Sequence, residues 1–580
     1  MKKTFLLSCL MLAAMPVMAA YTGHVYVDKN KNGVFDQSEK PLAGIKVSDG
    51  LNVVETAADG SFTLPGHERE RFIFITTPSG YKTFNRHYHK IEKKQSGYDF
   101  GLIPYSGRIR KDGSHRYIHI TDTEIFNTEN HADWVNNVHD YARNEQAAFI
   151  IHTGDLCYEK GLKAHIKLMN TENMDCPVFY CIGNHDLVKG KYGEELFESI
   201  YGPVYYSFDA GNVHYVVTPM PGGDHAPGYT SDDVCRWLKN DLAHIRPGTP
   251  VVVFNHDLLT YEDTFIFKSK NAGSINLNEY NLKAWVYGHW HINYMKKQGD
   301  VYSVCTSSLD KGGIDHSTTA FRVMHVDSKG DFTSELRYTY LDKNICIASP
   351  AGVMASGVLP VAVNVYSSVS PVREVLYTCL ADGKPVLKNK RLLQSTDWSW
   401  NGELPLSHKY VGKELTLRVT ARFNNGEIAE AESNFICRTE KAVPLFSADW
   451  DNLSGNAKHS APVSAPLNLP LQLAWTNNVG ANLYMTSPLI HKGKVIVASV
   501  DEDLKGAGHV YALNGKDGTI LWSCPVRNSI KNSIAVDSDI VFAQDAQGFL
   551  YAIDTETGKL CWEKQLPVNG LPALIDGLVA

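Results

Sequence analysis

The chain has 580 residues, of which 43% are hydrophobic and 21% charged, and carries a formal charge of −7. That length is too great for one hydrophobic core and points to roughly three to five domains, while the composition excludes a disordered chain. A mildly acidic protein with no basic stripe is also a poor partner for nucleic acid, so DNA or RNA is excluded as the main ligand.

Residues 1–20 read as a signal peptide. Lys2 and Lys3 form a basic start, Phe5 to Met15 a short apolar stretch, and Val17-Met18-Ala19 places small residues before a cut after Ala19 or Ala20. The stretch is too short to span a bilayer, and no later segment reaches transmembrane length. The expected location is the periplasm or the extracellular space. Disulfides are permitted there, but the spacing builds no framework. Cys176 and Cys181 flank a strand-like Pro177–Tyr180 run, which would hold them roughly 16 Å apart, beyond disulfide reach. Most of the cysteines are therefore expected to be small buried residues.

Residues 21–105 carry short alternating runs such as Ile45–Val47 and Phe72–Thr76 between turn residues, the pattern of an N-terminal β-sandwich. One loop matches D-x-[DN]-x-[DN]-G-x5-E: Asp28, Asn30, Asn32, Gly33, Asp36 and Glu39. Its oxygens fall where a calcium loop places ligands, which predicts a structural Ca; the alternative is a polar turn between strands.

Residues 106–344 alternate strand and helix signals. Arg116–Thr121, Phe149–Thr153 and Val178–Ile182 read as strands, with helices over His131–Glu145 and Gly161–Met169 between them. This rhythm predicts parallel strands with right-handed crossovers. Further strands are expected at Tyr205–Phe208, Val213–Thr218, Val251–Phe254, Trp285–Tyr287 and Tyr302–Cys305, and a helix at Ser231–His244. Residues 345–440 return to β patterning, with Asn425-Gly426 marking a hairpin, and predict an immunoglobulin-like sandwich. Residues 441–475 form a Ser/Pro/Asn-rich linker. In 476–580, Val510-Tyr511-Ala512-Leu513 through Gly518 to Trp522 recurs 40 residues later as Leu550-Tyr551-Ala552-Ile553 through Gly558 to Trp562. That period suits one four-stranded propeller blade. The repeats resemble the pyrroloquinoline-quinone-type propeller family. Their apolar stripe and closing tryptophan read as blade packing, so no quinone is expected. A third unit starts near Pro572. Two blades and a fragment cannot close a ring, so either the chain is truncated or another chain completes it. The repeats could instead offer a surface to a protein partner, and deletion of 441–580 would then leave catalysis intact.

The chemistry gathers at the strand ends of the second segment: Asp122 and Glu124, Gly154-Asp155, Gly183-Asn184-His185-Asp186, Asn255-His256, and Gly288-His289-Trp290-His291. Ligands of open α/β sheets bind outside the carboxyl ends of strands, so five polar clusters should meet on one rim. Carboxylates with imidazoles suit Mn, Fe or Zn, and two such ions can clamp the attacking and leaving oxygens of an in-line displacement. Glycines before Asp155, Asn184 and His289 would let backbone approach closely, and Trp290 should point away from its flanking histidines.

The series D-x-(H), GD, GNHD, H and GHxH, in this order over residues 115–325, resembles the calcineurin-like metallophosphoesterase family. The flanking β modules resemble those of some bacterial members. The resemblance implies an α/β/β/α sandwich in a multidomain α/β plus all-β chain. It implies that Asp122 and His291 bind one metal, that Asp155 bridges, and that Asn184, His256 and His289 bind the second. His185 would then donate a proton or stabilise transition-state charge while Asp186 orients it, and a bridging hydroxide would attack a small phosphomonoester or phosphodiester. This chain departs from the family where Glu124 replaces the usual histidine, which would favour a harder metal if Glu124 coordinates. No basic phosphate clamp is visible in the sequence. The alternative is a non-catalytic envelope scaffold with a vestigial metal site.

Overall fold

A computed structural model describes residues 20–95, 97–439, 449–456, 458–460, 473–484 and 486–566. The expected signal peptide, most of the expected 441–475 linker and the expected unit starting near Pro572 lie outside the described residues.

The central region is built on two facing sheets. In the first, His115–Ile120 (β1), Phe149–His152 (β2) and Val178–Tyr180 (β3) pair in parallel. Ala320–Val326 and Phe332–Tyr338 extend it antiparallel from β1. Alternation decides which way each side chain faces. Tyr117 and Phe149 point into the space between the sheets, while Ile118, Ile120 and Ile150 point outward. The outer face is covered by helix Ala132–Asn144 (α1), whose Trp134, Val138, Tyr141 and Ala142 share one stripe, and by Tyr158–Leu168 (α2).

The second sheet runs Tyr206–Ala210 (β4), Val213–Val217 (β5), Val251–Phe254 (β6), Leu282–Tyr287 (β7), then Val301–Cys305 and Tyr294–Gln298. Strands β5, β6, β7 and Val301–Cys305 are parallel. Its aromatic residues meet those of the first sheet: Phe179 stacks on Phe208 at 3.8 Å, and Tyr117 meets Phe254 edge-on at 5.7 Å. Helix Ser231–Ala243 (α3) covers its outer side, opened by a capping box in which Thr230 and Asp233 satisfy each other's backbone amides. Both faces of both sheets are therefore buried, and ligands are left the rim where β1, β2, β3, β6 and β7 end.

The flanking regions are all-β. Residues 21–104 form two small sheets around Val25, Val47, Phe62, Ile73 and Phe100. Residues 344–438 form a two-sheet sandwich whose core includes Val363, Trp400, Leu417 and Phe435. Its predicted hairpin is present: Glu414–Phe423 pairs with Ile428–Arg438 around Gly426, whose φ is +89°. Beyond lie two four-stranded meanders, Leu489–Pro525 and Ala535–Gln565. Trp475 and Trp522 donate their indole N–H groups to Gly515 O and Thr555 O, so each tryptophan closes the turn of the following unit. Among the described residues all ten cysteines are free; eight are buried, with Cys346 and Cys561 exposed. No described helix is long and apolar enough to cross a membrane.

Candidate metal centre

Left-handed backbone concentrates at the strand ends. Asp122, Glu124, Asp155, His289 and His291 have φ of +50°, +45°, +56°, +64° and +50°. Each such residue costs on the order of 1–3 kcal/mol and persists only where its surroundings over-determine it. Here the loops lace one another together. Asp122 N donates to Gly154 O and Glu124 N to Asp155 O. His289 N donates to Asp122 Oδ2 at 3.0 Å, and Thr121 Oγ1 donates to the same oxygen at 2.7 Å. Two glycines are required by contact: a Cβ at Gly183 would lie 2.2 Å from Asp155 Oδ1, and one at Gly288 would lie 1.9 Å from Thr121 Oγ1.

The donors converge as a result. One ligand atom each from Asp155, His256 and His289 lies within 4.8 Å of the others. His256 Nε2 stands 3.1 Å from Asp155 Oδ2 and 3.9 Å from Asp122 Oδ1. On the other side His291 Nε2 lies 3.4 Å from Asp122 Oδ1 and 3.5 Å from Glu124 Oε1. Asn184 Oδ1 and His256 Nε2 are buried without a hydrogen-bond partner, and the 3.1 Å approach to Asp155 lacks hydrogen-bond alignment. Orphaned buried atoms are costly in a native protein unless something binds them. The neighbours of His256 Nε2 are carboxylates and an imidazole, so this donor set fits a metal ion. His256 is oriented from behind, its Nδ1 lying 2.8 Å from Thr153 O.

Charge follows the same geometry. Burial opposes a charged His256, yet Asp155 beside it outweighs that penalty and pushes it up to about 10. Burial likewise opposes an ionised Asp155, and His256 with the His185 amide holds it down to about 2. A cation is thus wanted between these carboxylates, and a proton on His256 meets part of that demand.

His185 is positioned differently from expectation. Asp186 does not orient its ring. The Asp186 carboxylate is fully buried and accepts the backbone amides of Asp155, Cys157 and Gly183 at 2.9, 3.0 and 2.9 Å, fastening two loops together. Asp224 takes the orienting place, its Oδ2 lying 2.8 Å from His185 Nδ1. Burial lowers the His185 pKa, but the Asp224 contact and nearby carboxylates raise it more, so the net shift is upward. Glu124 faces the site, and its second oxygen pairs with Lys311 Nζ at 3.0 Å. A basic group therefore does stand at the centre, contributed by a loop no motif marked. Trp290 turns away as expected and donates its indole N–H to Asp257 Oδ1.

The C-terminal meanders are not a detached surface. Lys531 Nζ is buried against Asp315 Oδ2 at 2.6 Å, Glu502 Oε1 at 2.7 Å and Asn293 O at 2.7 Å. Ile314, next to Asp315, donates its amide to His291 O. Buried Arg322 pairs with Asp503 at 2.7 Å and donates to Thr306 Oγ1. Thr306 contacts His119 Nδ1, and His119 Nε2 contacts Thr153 Oγ1, each at 2.8 Å. This chain of contacts ends on the residue whose carbonyl holds His256. The predicted calcium loop, in contrast, spends its donors on itself: Asp28 accepts the amides of Asn32 and Gly33, Asn30 and Asn32 side chains donate to Asp36, and Glu39 accepts Lys29 N and Asp36 N. A polar turn makes the same hydrogen bonds.

Comparison with known proteins agrees with this site. Residues 115–293 match the family model described as Calcineurin-like phosphoesterase. Residues 29–104 match N terminal of Calcineurin-like phosphoesterase, and residues 472–575 match Outer membrane protein assembly factor BamB. Purple acid phosphatase 13 of Arabidopsis thaliana is 26% identical over 215 residues, or 35% of this chain; the match spans only 36% of that protein. Among solved structures, a predicted phosphoesterase from Streptococcus pneumoniae TIGR4 is 10% identical with a TM-score of 0.19, covering 39% of this chain and 98% of that one. BamB from Moraxella catarrhalis is 12% identical with a TM-score of 0.13, covering 42% and 67%. Such scores carry no weight for the fold, which rests on the sheets and the family models. The middle of the chain thus matches the calcineurin-like phosphoesterase model, between an N-terminal region matching the N-terminal model of the same family and a region matching the BamB model.

Proposed function

We propose that the chain is an exported, metal-dependent hydrolase of a small phosphomonoester or phosphodiester. The observation that carries this is the buried, unpartnered His256 Nε2, gathered with ligand atoms of Asp155 and His289 within 4.8 Å of one another, on the loop system that also buries Asn184 Oδ1 without a partner. Asn184, His256, His289 and Asp155 would hold one ion, and Asp122, His291 and Asp155, with Glu124 contributing an oxygen, the other; Mn or Fe suits the oxygen-rich side better than Zn. When bound, the two ions would supply Lewis-acid stabilisation of phosphoryl charge and an activated water.

The remaining steps belong to the chain's own residues. Hydrolysis forms a bond from water oxygen to phosphorus and breaks the ester P–O bond, so the leaving oxygen needs a proton. His185, with Nδ1 held by Asp224, would present Nε2–H to that oxygen. Lys311, beside Glu124, would balance carboxylate charge near the incoming phosphate. Asp186 would keep the Asp155 and Gly183 loops in register. The domain division at 21–105, 106–344, 345–440 and 476–580, the leader at 1–20 and an envelope location belong to the same proposal.

The test is turnover of p-nitrophenyl phosphate and bis(p-nitrophenyl) phosphate with added Mn, paired with elemental analysis. Asp155→Ala and His256→Ala should lose both metal and turnover. Wild-type rates in either variant would remove the catalytic assignment and favour the scaffold alternative.

A further inference from the structure

Two large aromatic side chains stand in water at the edge of the centre. Phe126, on the loop that carries Asp122 and Glu124, is 58% exposed, and Tyr158, the first residue of α2, is 44% exposed. Their rings are near-parallel, at 17°, with centroids 6.4 Å apart. The Tyr158 ring lies 5.4 Å from the imidazole of His185.

The backbone beneath holds this arrangement. Cys157 and Tyr158 have φ of +71° and +54°, successive left-handed residues on the turn that leaves Asp155. Cys157 is buried and its amide is bound by Asp186, so the turn is fastened on one side while Tyr158 projects on the other. Scattered exposed hydrophobic residues need no explanation, but a strained turn that sets one ring beside another, and both beside the imidazole that would protonate a leaving oxygen, does.

We propose that Phe126 and Tyr158 form a subsite for the leaving group of the phosphoester, and that the preferred leaving group is a planar aromatic alcohol, a nucleoside or aryl unit, over an aliphatic one. The inference rests on the phosphoesterase reading above. Flat rings gain from offset or edge-on contact with other rings beyond what area burial supplies, whereas a saturated ring of the same size gains burial alone. Because His185 would hand its proton to the leaving oxygen, the group attached to that oxygen must extend from His185, and the Tyr158 ring is the surface it meets there.

The experiment compares benzyl phosphate with cyclohexylmethyl phosphate, esters of similar size whose alcohols have similar acidity. The full-length metal-loaded protein should favour the benzyl ester in kcat/KM by roughly two- to ten-fold, the worth of an aromatic contact. Tyr158→Phe should keep that ratio. Tyr158→Leu and Phe126→Leu, which preserve apolar bulk, should bring it near unity while still hydrolysing the cyclohexylmethyl ester. Direct titration with the two matching phosphonates, which cannot be hydrolysed, should show the same loss of preference in affinity. A ratio unchanged in both leucine variants, or absent in the wild type, overturns the subsite while leaving the phosphoesterase reading intact. Hydrolysis of neither ester, with no phosphonate bound and no turnover of bis(p-nitrophenyl) phosphate, overturns both.

Discussion

Replacing Lys531 with methionine tests how firmly the C-terminal meanders are built into the catalytic domain. The lysine side chain is 5% exposed, and its partners Asp315 and Glu502 are 1% and 3% exposed. Burial disfavours its ammonium, but Glu502 and Asp315 more than compensate, so its pKa lies above the ordinary lysine value. A raised folded value means that the stabilisation is fully present below the unfolded lysine pKa and is lost only as pH rises through the folded one. Neutral pH therefore reads the whole effect. Lys531→Met keeps most of the apolar stem but leaves two carboxylates desolvated and unpaired, and removing one partner of a buried ion pair costs about 3–5 kcal/mol. Urea unfolding at pH 7, followed by tryptophan fluorescence, should show a loss of that size. The triple variant Lys531→Met/Asp315→Asn/Glu502→Gln should recover most of it, because the penalty is for unpaired charge. Since Asp315 adjoins the Ile314 amide that holds His291 O, the single variant should also bind less metal. A loss under about 1 kcal/mol, the range of a surface pair, would show that the triad is solvated and refute the reasoning. So would a triple variant no more stable than the single.

Three further outcomes are expected. Asp224→Asn removes the contact that raises the His185 pKa, so the alkaline limb of the kcat profile should move to lower pH; a limb that stays in place while kcat falls would mean His185 is not the titrating acid. With His256 pushed up to about 10, each ion bound there must displace a proton below that pH. Metal affinity should then fall by about tenfold per pH unit on acidification, read as proton release in a weakly buffered titration, and uptake with no proton released would contradict it. Lys311→Met should raise KM several-fold for phosphoesters yet change stability by under about 1 kcal/mol, because its pair with Glu124 is partly exposed; an unaltered KM would place Lys311 outside substrate recognition.

What the sequence determined by itself was local and periodic. The short apolar runs over His115–Ile120 and Phe149–His152, the α1 stripe and the repeat in the meanders are written in the spacing of apolar residues, and spacing is what selects a strand, a helix or a blade. The candidate metal ligands were legible for a related reason: each stands near a glycine or a strand end, where a carboxylate or imidazole is not needed to form the strand. What only the tertiary structure decided were pairings between distant segments that carry no periodic mark. Asp186 and Asp224 are both acidic neighbours of the His185 loop, and nothing in their order says that one meets backbone amides and the other the imidazole. Lys311 reaches Glu124 from across the chain, and Lys531 and Arg322 cross between domains. A charged side chain chooses its partner by desolvation and distance, and both come into being only when the sheets have closed and the loops between them have been brought together.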